Sequence, residues 1–177
     1  GFLELLWPDA SVPVSPEREE GARKFRQKSA WRTTGWSPVG IGIRRAPNGP
    51  DKLPFATWPI RTDWMPPGAA IEMVTPKADL LAPSIFVVPR VMAVAEGSQA
   101  DAERAKAIDH PLGAHRLTAL RLVEPPRDDP DDPAQLLARL GLAKVERGKE
   151  WLVEITLGGR KGQVRDLRPE LPLVVRY

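Results

Sequence analysis

The sequence predicts an α+β protein built from short strands and few helices, and three observations support this class. Proline occurs 20 times and glycine 14 times in 177 residues, which divides the chain into short segments. Apolar and polar residues alternate with the period of a strand in EWLVEITL, residues 150–157. Residues 117–168 give the order β-α-β-β-β. Short strands with an occasional helix are therefore expected throughout.

The composition excludes several kinds of protein. The chain has 26 Lys and Arg against 23 Asp and Glu, a net charge of +3, and no dense basic block of the kind that binds nucleic acid. It has no cysteine, which excludes disulfides, thiolate metal sites and cysteine nucleophiles. No apolar run approaches the roughly 20 residues that span a membrane, and no signal peptide is apparent. We therefore expect a cytoplasmic protein without nucleic-acid or membrane partners.

The first half of the chain predicts one helix among several strands. Ser15 and Pro16, followed by acidic residues, begin a surface helix that extends to about Ser29. The expected strands share apolar, β-favouring composition and are residues 1–7, 38–45, 54–60, 68–74 and 84–92. Gly40 and Gly42 leave one face of their strand without side chains, which suits either tight packing or close approach of a ligand. Pro89 indicates an edge strand or a bulge.

The second half predicts the β-α-β-β-β order. A short helix over residues 98–107 precedes it, and its strands are expected at residues 117–123, 143–147, 150–157 and 162–168. Asp132 caps the central helix, Pro133 takes its first position and Gly141 ends it. Gly148 and Lys149 suit a tight hairpin turn between the strands on either side of them.

A short internal repeat links the two ends of the chain. GFLELLWPD, residues 1–9, aligns without gaps on GQVRDLRPE, residues 162–170, with the glycine, the proline and the final acid in register. The first strand thus resembles the last strand of a module whose beginning is absent. Because the chain also starts on strand-like residues without a methionine, we expect it to be a fragment or a processed product.

Several segments resemble the glyoxalase-like domain proteins of the vicinal oxygen chelate (glyoxalase, bleomycin resistance and dioxygenase) superfamily. They are FLELL at residues 2–6, GW at 35–36, DHPLGAHRLTAL at 109–120, LLARLGL at 136–142 and LGGRKGQVRDLRPELPL at 157–173. The resemblance implies tandem βαβββ modules whose curled mixed sheets surround a cavity, with an incomplete first module. Residues 1–97 would hold the last strand of that module and a strand-rich middle segment. Residues 98–177 would form the second module, within one compact domain.

The resemblance also implies a function. Classical members bind a divalent metal, here Zn, Fe, Mn or Ni, through His and Glu of the first and last strands of each module. They act as lyases, isomerases or dioxygenases by Lewis-acid chemistry. Glu4 matches the last-strand carboxylate position and is the candidate metal ligand. The first-strand position of the second module falls at Leu117 or Thr118, and its last-strand position at Arg165 or, shifted by one residue, Asp166.

Three residues are the candidates for chemistry, each with a structural alternative. Glu4 either serves the cavity or pairs with an arginine, because an isolated buried carboxylate is costly. Arg165, a candidate catalytic residue, would face Glu4 and replace the charge of a metal by a fixed cation. His110 would act as a general base or cap a loop. The strand carboxylates Glu72 and Glu154 suit a solvated sheet face or a cavity.

Three functional classes follow from these candidates. The first is a metal-dependent lyase, isomerase or dioxygenase acting on a small molecule. The second is a small-molecule-binding protein of the resistance type, which needs no cofactor and uses Arg165 to select acidic or carbonyl ligands. The third is a structural or interaction module, in which another chain supplies the missing module and a homodimer is expected.

Overall fold

The computed structural model describes residues 11, 13–16, 19–45, 49, 52–62, 65–76, 78–89, 91, 116–129, 131–158 and 162–177. Within these residues the chain is α+β, with two mixed sheets of four and five strands and few helices, which confirms the predicted class. The expected strand at residues 1–7 and helix at residues 98–107 lie outside the described residues. So do Glu4 and His110.

Three helices occur in the described part of the chain: α1 (Glu19–Ser29), α2 (Trp31–Thr34) and α3 (Pro133–Arg139). Helix α1 has no buried residue, as expected of a surface helix. Helix α2 was not predicted, and Gly35, with φ of 71°, ends it by donating its N–H to Trp31 O at 2.8 Å. In α3 the Asp132 side chain accepts from the Ala134 N–H at 3.0 Å, so the predicted cap is confirmed.

The first sheet contains β1 (Gly40–Ile43), β2 (Trp58–Ile60), β3 (Ile71–Met73) and β4 (Ser84–Val87) in the order β1-β4-β3-β2. Strand β1 is parallel to β4, and β3 is antiparallel to both β4 and β2. The strands match the predicted segments but are shorter, and Pro89 lies beyond the end of β4. The Phe86 ring covers the bare face at Gly42, where an added Cβ would lie 2.9 Å from Phe86 Cε2.

The second sheet contains β5 (Arg116–Glu124), β6 (Lys144–Arg147), β7 (Leu152–Gly158), β8 (Val164–Asp166) and β9 (Leu173–Arg176). Its order is β6-β5-β7-β9-β8, and β5-α3-β6 is a parallel crossover unit. The predicted β-α-β-β-β order is present, with β9 as an additional strand. The predicted hairpin at Gly148 is wrong, because β6 and β7 pair with opposite sides of β5. Gly148 instead donates its N–H to Glu124 O at 2.9 Å.

One hydrophobic core joins the two sheets. The sequence before β5 contributes Trp31, Val39 and Ile85, and the sequence from β5 onwards contributes Leu122, Ala134, Leu137 and Trp151. All seven are buried. Because Ala134 and Leu137 of α3 belong to this cluster, α3 packs where the two sheets meet. The loop between β5 and α3 therefore lies at the junction of the two sheets.

Candidate functional site

An open groove of about 490 Å³ lies at one end of the first sheet. Strands β1, β2 and β4 run in one direction and β3 in the other, so the residues after β1, β2 and β4 meet the residues before β3. Two polar residues of the groove follow this rule, since Arg45 comes after β1 and Arg61 after β2, while Glu72 is the middle residue of β3. The apolar lining is Pro67, Ala69, Ala70, Val87, Val88, Pro89 and Val91.

Glu72 is oriented by the register of the sheet. It pairs across the strands with Val87, which is buried, so the Glu72 side chain lies on the core-facing side of the sheet. The Thr57 hydroxyl donates to Glu72 Oε2 at 2.8 Å. Glu72 is half-buried at the rim, where a carboxylate keeps access to water. The sequence singled out this carboxylate, and the structure places it in the groove.

The charges of the groove suit an anion. The charged side chains that the described residues contribute to the groove are the guanidinium groups of Arg45 and Arg61 and the Glu72 carboxylate. Arg61 is exposed and makes no ion pair within the described residues, while Arg45 is half-buried and already engaged in an interaction. Arginine binds carboxylate and phosphate through a planar fork of donors. The arrangement can therefore hold the acidic group of a small molecule.

Arg165 lies elsewhere. It belongs to β8, an edge strand of the second sheet, is exposed, and pairs across the strands with Val175. It does not line the groove, and no ion pair involves it within the part of the chain that the structure describes. The predicted approach of Arg165 to Glu4 stays a prediction, because Glu4 lies outside the described residues.

The second-module positions at which the resemblance places metal ligands do not fit a metal. Leu117 is an exposed apolar residue, and the Thr118 hydroxyl donates to Thr156 O at 3.0 Å. Asp166 accepts two hydrogen bonds from the Arg168 guanidinium, at 2.9 and 2.5 Å, which lower its pKa to about 2. Among the described residues no group of three or more His, Cys, Asp or Glu could hold a metal ion.

A buried cluster of ionisable groups lies at the junction of the two sheets, and the sequence interpretation missed it. Glu124 ends β5 and is fully buried, and Asp132 caps α3 and is 1% exposed. Arg147, at the end of β6, contacts both carboxylates, with Nη1 2.8 Å from Glu124 Oε1 and Nη2 2.7 Å from Asp132 Oδ2. Arg127 Nη2 binds Asp79 Oδ2 at 2.5 Å, which joins the β3–β4 loop to the β5–α3 loop.

The surroundings of Glu124 favour its neutral form. Burial and the neighbouring Asp132 carboxyl raise the pKa of Glu124 to about 7, against the opposing effects of Arg147 and Arg127. Neither Glu124 oxygen has an aligned hydrogen-bond partner within the described residues. The segment EPPRDDPDDP, residues 124–133, has the composition of a polar connection between two elements. An acid directly after the apolar pair Leu122 and Val123 is the one signal that could have indicated a buried carboxyl.

Comparisons with known proteins leave the family open. No protein-family model matches the chain, and neither a curated protein nor a solved structure does. The resemblance to glyoxalase-like proteins therefore stays a prediction. Over the ranges that the structure describes, no helix has the length and apolar character needed to cross a membrane.

Proposed function

We propose that this chain binds a small acidic molecule in the groove at the end of the first sheet. The observation that supports the proposal is the convergence of Arg45 and Arg61 with the Thr57-oriented Glu72 on a groove of about 490 Å³. That volume is within the range of small-molecule sites. Arg61 would bind the acidic group, and Glu72 would accept a hydrogen bond from a hydroxyl or amino group of the ligand. This is the second predicted class, with Arg61 in the role that the sequence analysis gave to Arg165.

The metal-dependent lyase, isomerase or dioxygenase activity is a separate proposal that depends on Glu4 and His110. The groove does not require either residue. Adding Zn²⁺ or Mn²⁺ separates the two proposals. A metal-dependent site predicts that ligand affinity rises with the metal, and binding by Arg61 without a metal predicts that it does not.

The test is ligand titration followed by NMR, with pyruvate, lactate, benzoate and inorganic phosphate as probes at low ionic strength. Arg61→Gln removes one charged donor and keeps a polar side chain. Since an ion pair of an exposed arginine is worth about 0.2–1 kcal/mol, we expect a roughly 1.5- to 5-fold loss of affinity for the best probe. Arg139→Gln is the matched control, because Arg139 is exposed on α3 outside the groove.

Two outcomes would contradict the proposal. Equal affinity of the original chain and Arg61→Gln would show that the groove does not select the anion. A loss confined to Arg165→Gln would move the site to the second sheet. Raising the salt concentration to about 0.5 M should also weaken binding, because exposed charges are screened.

A further inference from the structure

The buried cluster at the sheet junction contains more acids than bases. It consists of two guanidinium groups and four carboxyl groups, namely Arg127, Arg147, Asp79, Glu124, Asp129 and Asp132. Lys28 on α1, whose ammonium group is attracted by Asp79, adds a third base, so the formal charge is −1 with every acid ionised and zero with one acid protonated. Arg127 is 11% exposed and Glu124 and Asp132 are at most 1% exposed, so water screens these charges poorly. Holding one proton is the simplest way to reduce the excess charge.

The pair of Glu124 and Asp132 is the site in this cluster that is best suited to bind the proton. Asp132 has two contacts of the kind that a carboxylate makes, since it accepts the Ala134 N–H at 3.0 Å and lies 2.7 Å from Arg147 Nη2. Glu124 has the contact with Arg147 but no aligned hydrogen bond within the described residues. Of the two carboxyls, Glu124 therefore loses less when it is neutral.

The cluster also holds the two sheets together. Arg127 binds Asp79 in the β3–β4 loop and Asp129 Oδ2 at 2.9 Å, while its Nη1 lies 4.0 Å from Asp132 Oδ1. Asp79 in turn accepts the Ala82 N–H at 3.0 Å. An ionised Glu124 would place a second negative charge beside Asp132. This charge would attract the Arg127 guanidinium, which joins the β5–α3 loop to the first sheet.

We propose that Glu124 and Asp132 form a proton-binding switch, which holds one proton at and below neutral pH and, on losing it, weakens the junction between the two sheets. Arg147 is 37% exposed and covers the pair from solvent, so movement of its side chain gives the proton a path to water. The pKa of Glu124, raised to about 7, agrees with this geometry.

The sign of the pH effect follows from linkage. The folded chain holds the Glu124 proton up to about pH 7, whereas the unfolded chain releases it near the ordinary glutamate pKa of 4.5. The stabilisation is therefore fully present below pH 4.5 and is lost as the pH rises through 7. Within this window the equilibrium constant for unfolding rises by up to tenfold per pH unit.

The experiment is urea unfolding of the full chain between pH 5 and 8, for the original sequence, Glu124→Gln and Glu146→Gln. We expect the urea midpoint of the original chain to fall across this range and that of Glu124→Gln to fall markedly less. Glu146→Gln is the matched control, because Arg121 and Lys144 lower the pKa of Glu146 to about 2 and it does not titrate in the window. It should retain the slope of the original chain.

A second measurement keeps the proposal testable if Glu124→Gln does not fold. NMR of the original chain with ¹³C-labelled glutamate side chains should show one carboxyl that titrates near pH 7. The exchange protection of the Ala82 amide, corrected for intrinsic exchange, should fall over the same interval. Equal pH slopes in all three chains, or glutamate carboxyls that all titrate below pH 5.5, would overturn the proposal. So would unchanged protection at Ala82.

Discussion

Gly148 tests whether the β6–β7 connection is as tightly packed as the structure shows. An alanine Cβ at this position would lie 2.4 Å from Val123 Cγ1, where ordinary contact begins at 3.4 Å. The φ of Gly148 is not in the left-handed region, so the backbone itself accepts alanine. The effect of Gly148→Ala is therefore steric, and one of the two groups must move by about 1 Å.

Neither group moves freely. Val123 is β-branched, 8% exposed, and paired on both sides in the middle of the sheet. The Gly148 N–H is bonded to Glu124 O at 2.9 Å, which fixes the turn. Overpacking of this kind costs about 1–3 kcal/mol, so Gly148→Ala should lower the free energy of unfolding by that amount.

Val123→Ala supplies the control for the steric explanation. Alone it removes two methyl-sized groups and should cost about 1.6 kcal/mol, at about 0.8 kcal/mol each. If the clash is with Val123, the double variant should cost little more than Val123→Ala. The two changes would then couple by at least about 1 kcal/mol. Urea unfolding of the four chains measures this, and costs that add within about 0.5 kcal/mol would refute the reasoning.

Two further substitutions test the sheet junction and the first sheet. Asp79→Asn keeps an acceptor for the loop N–H groups but removes the charge opposite Arg127, which is 11% exposed. Urea unfolding should therefore show that the free energy of unfolding falls by about 1–3 kcal/mol. A change below about 0.5 kcal/mol would contradict the bridging role. Gly42→Ala places a Cβ 2.9 Å from the outer edge of the Phe86 ring. Because this ring is half-exposed and can shift, thermal unfolding should show that the free energy of unfolding changes by less than about 1 kcal/mol. A loss exceeding that of Gly148→Ala would mean that the ring is held rigidly.

Local sequence signals predicted the elements better than their pairing. Asp132 and Pro133 identify the start of α3, and the alternation in residues 150–157 identifies β7, because capping and side-chain alternation depend on neighbours in the chain. The hairpin predicted at Gly148 was wrong because strand pairing depends on contacts throughout the sheet and not only on the residues of the turn. Strand β5 is long and apolar enough to accept β6 on one side and β7 on the other.

The groove was predicted only in part, for the same reason. Glu72 stands out in the sequence as a carboxylate in an apolar strand. Arg45 and Arg61 do not stand out, because each follows a different strand and they meet only through the order β1-β4-β3-β2. Arg165 was selected through the internal repeat, and its exposed position on an edge strand is set by β9, which the sequence interpretation did not identify.

Three strand carboxylates show why a sequence pattern cannot assign the role of an acid. Glu72 is solvated at a rim and held by Thr57. Glu154 is bound by Arg121 and Arg176, which lower its pKa, so it is a paired, half-buried acid. Glu124 is enclosed, and its pKa is raised. Each follows or interrupts an apolar run, and the difference lies in partners that come from distant segments. The charge state of such an acid therefore depends on which side chains the folded sheet places beside it. The chemistry of the acid can be inferred only when these partners are known, and its own strand sequence does not identify them.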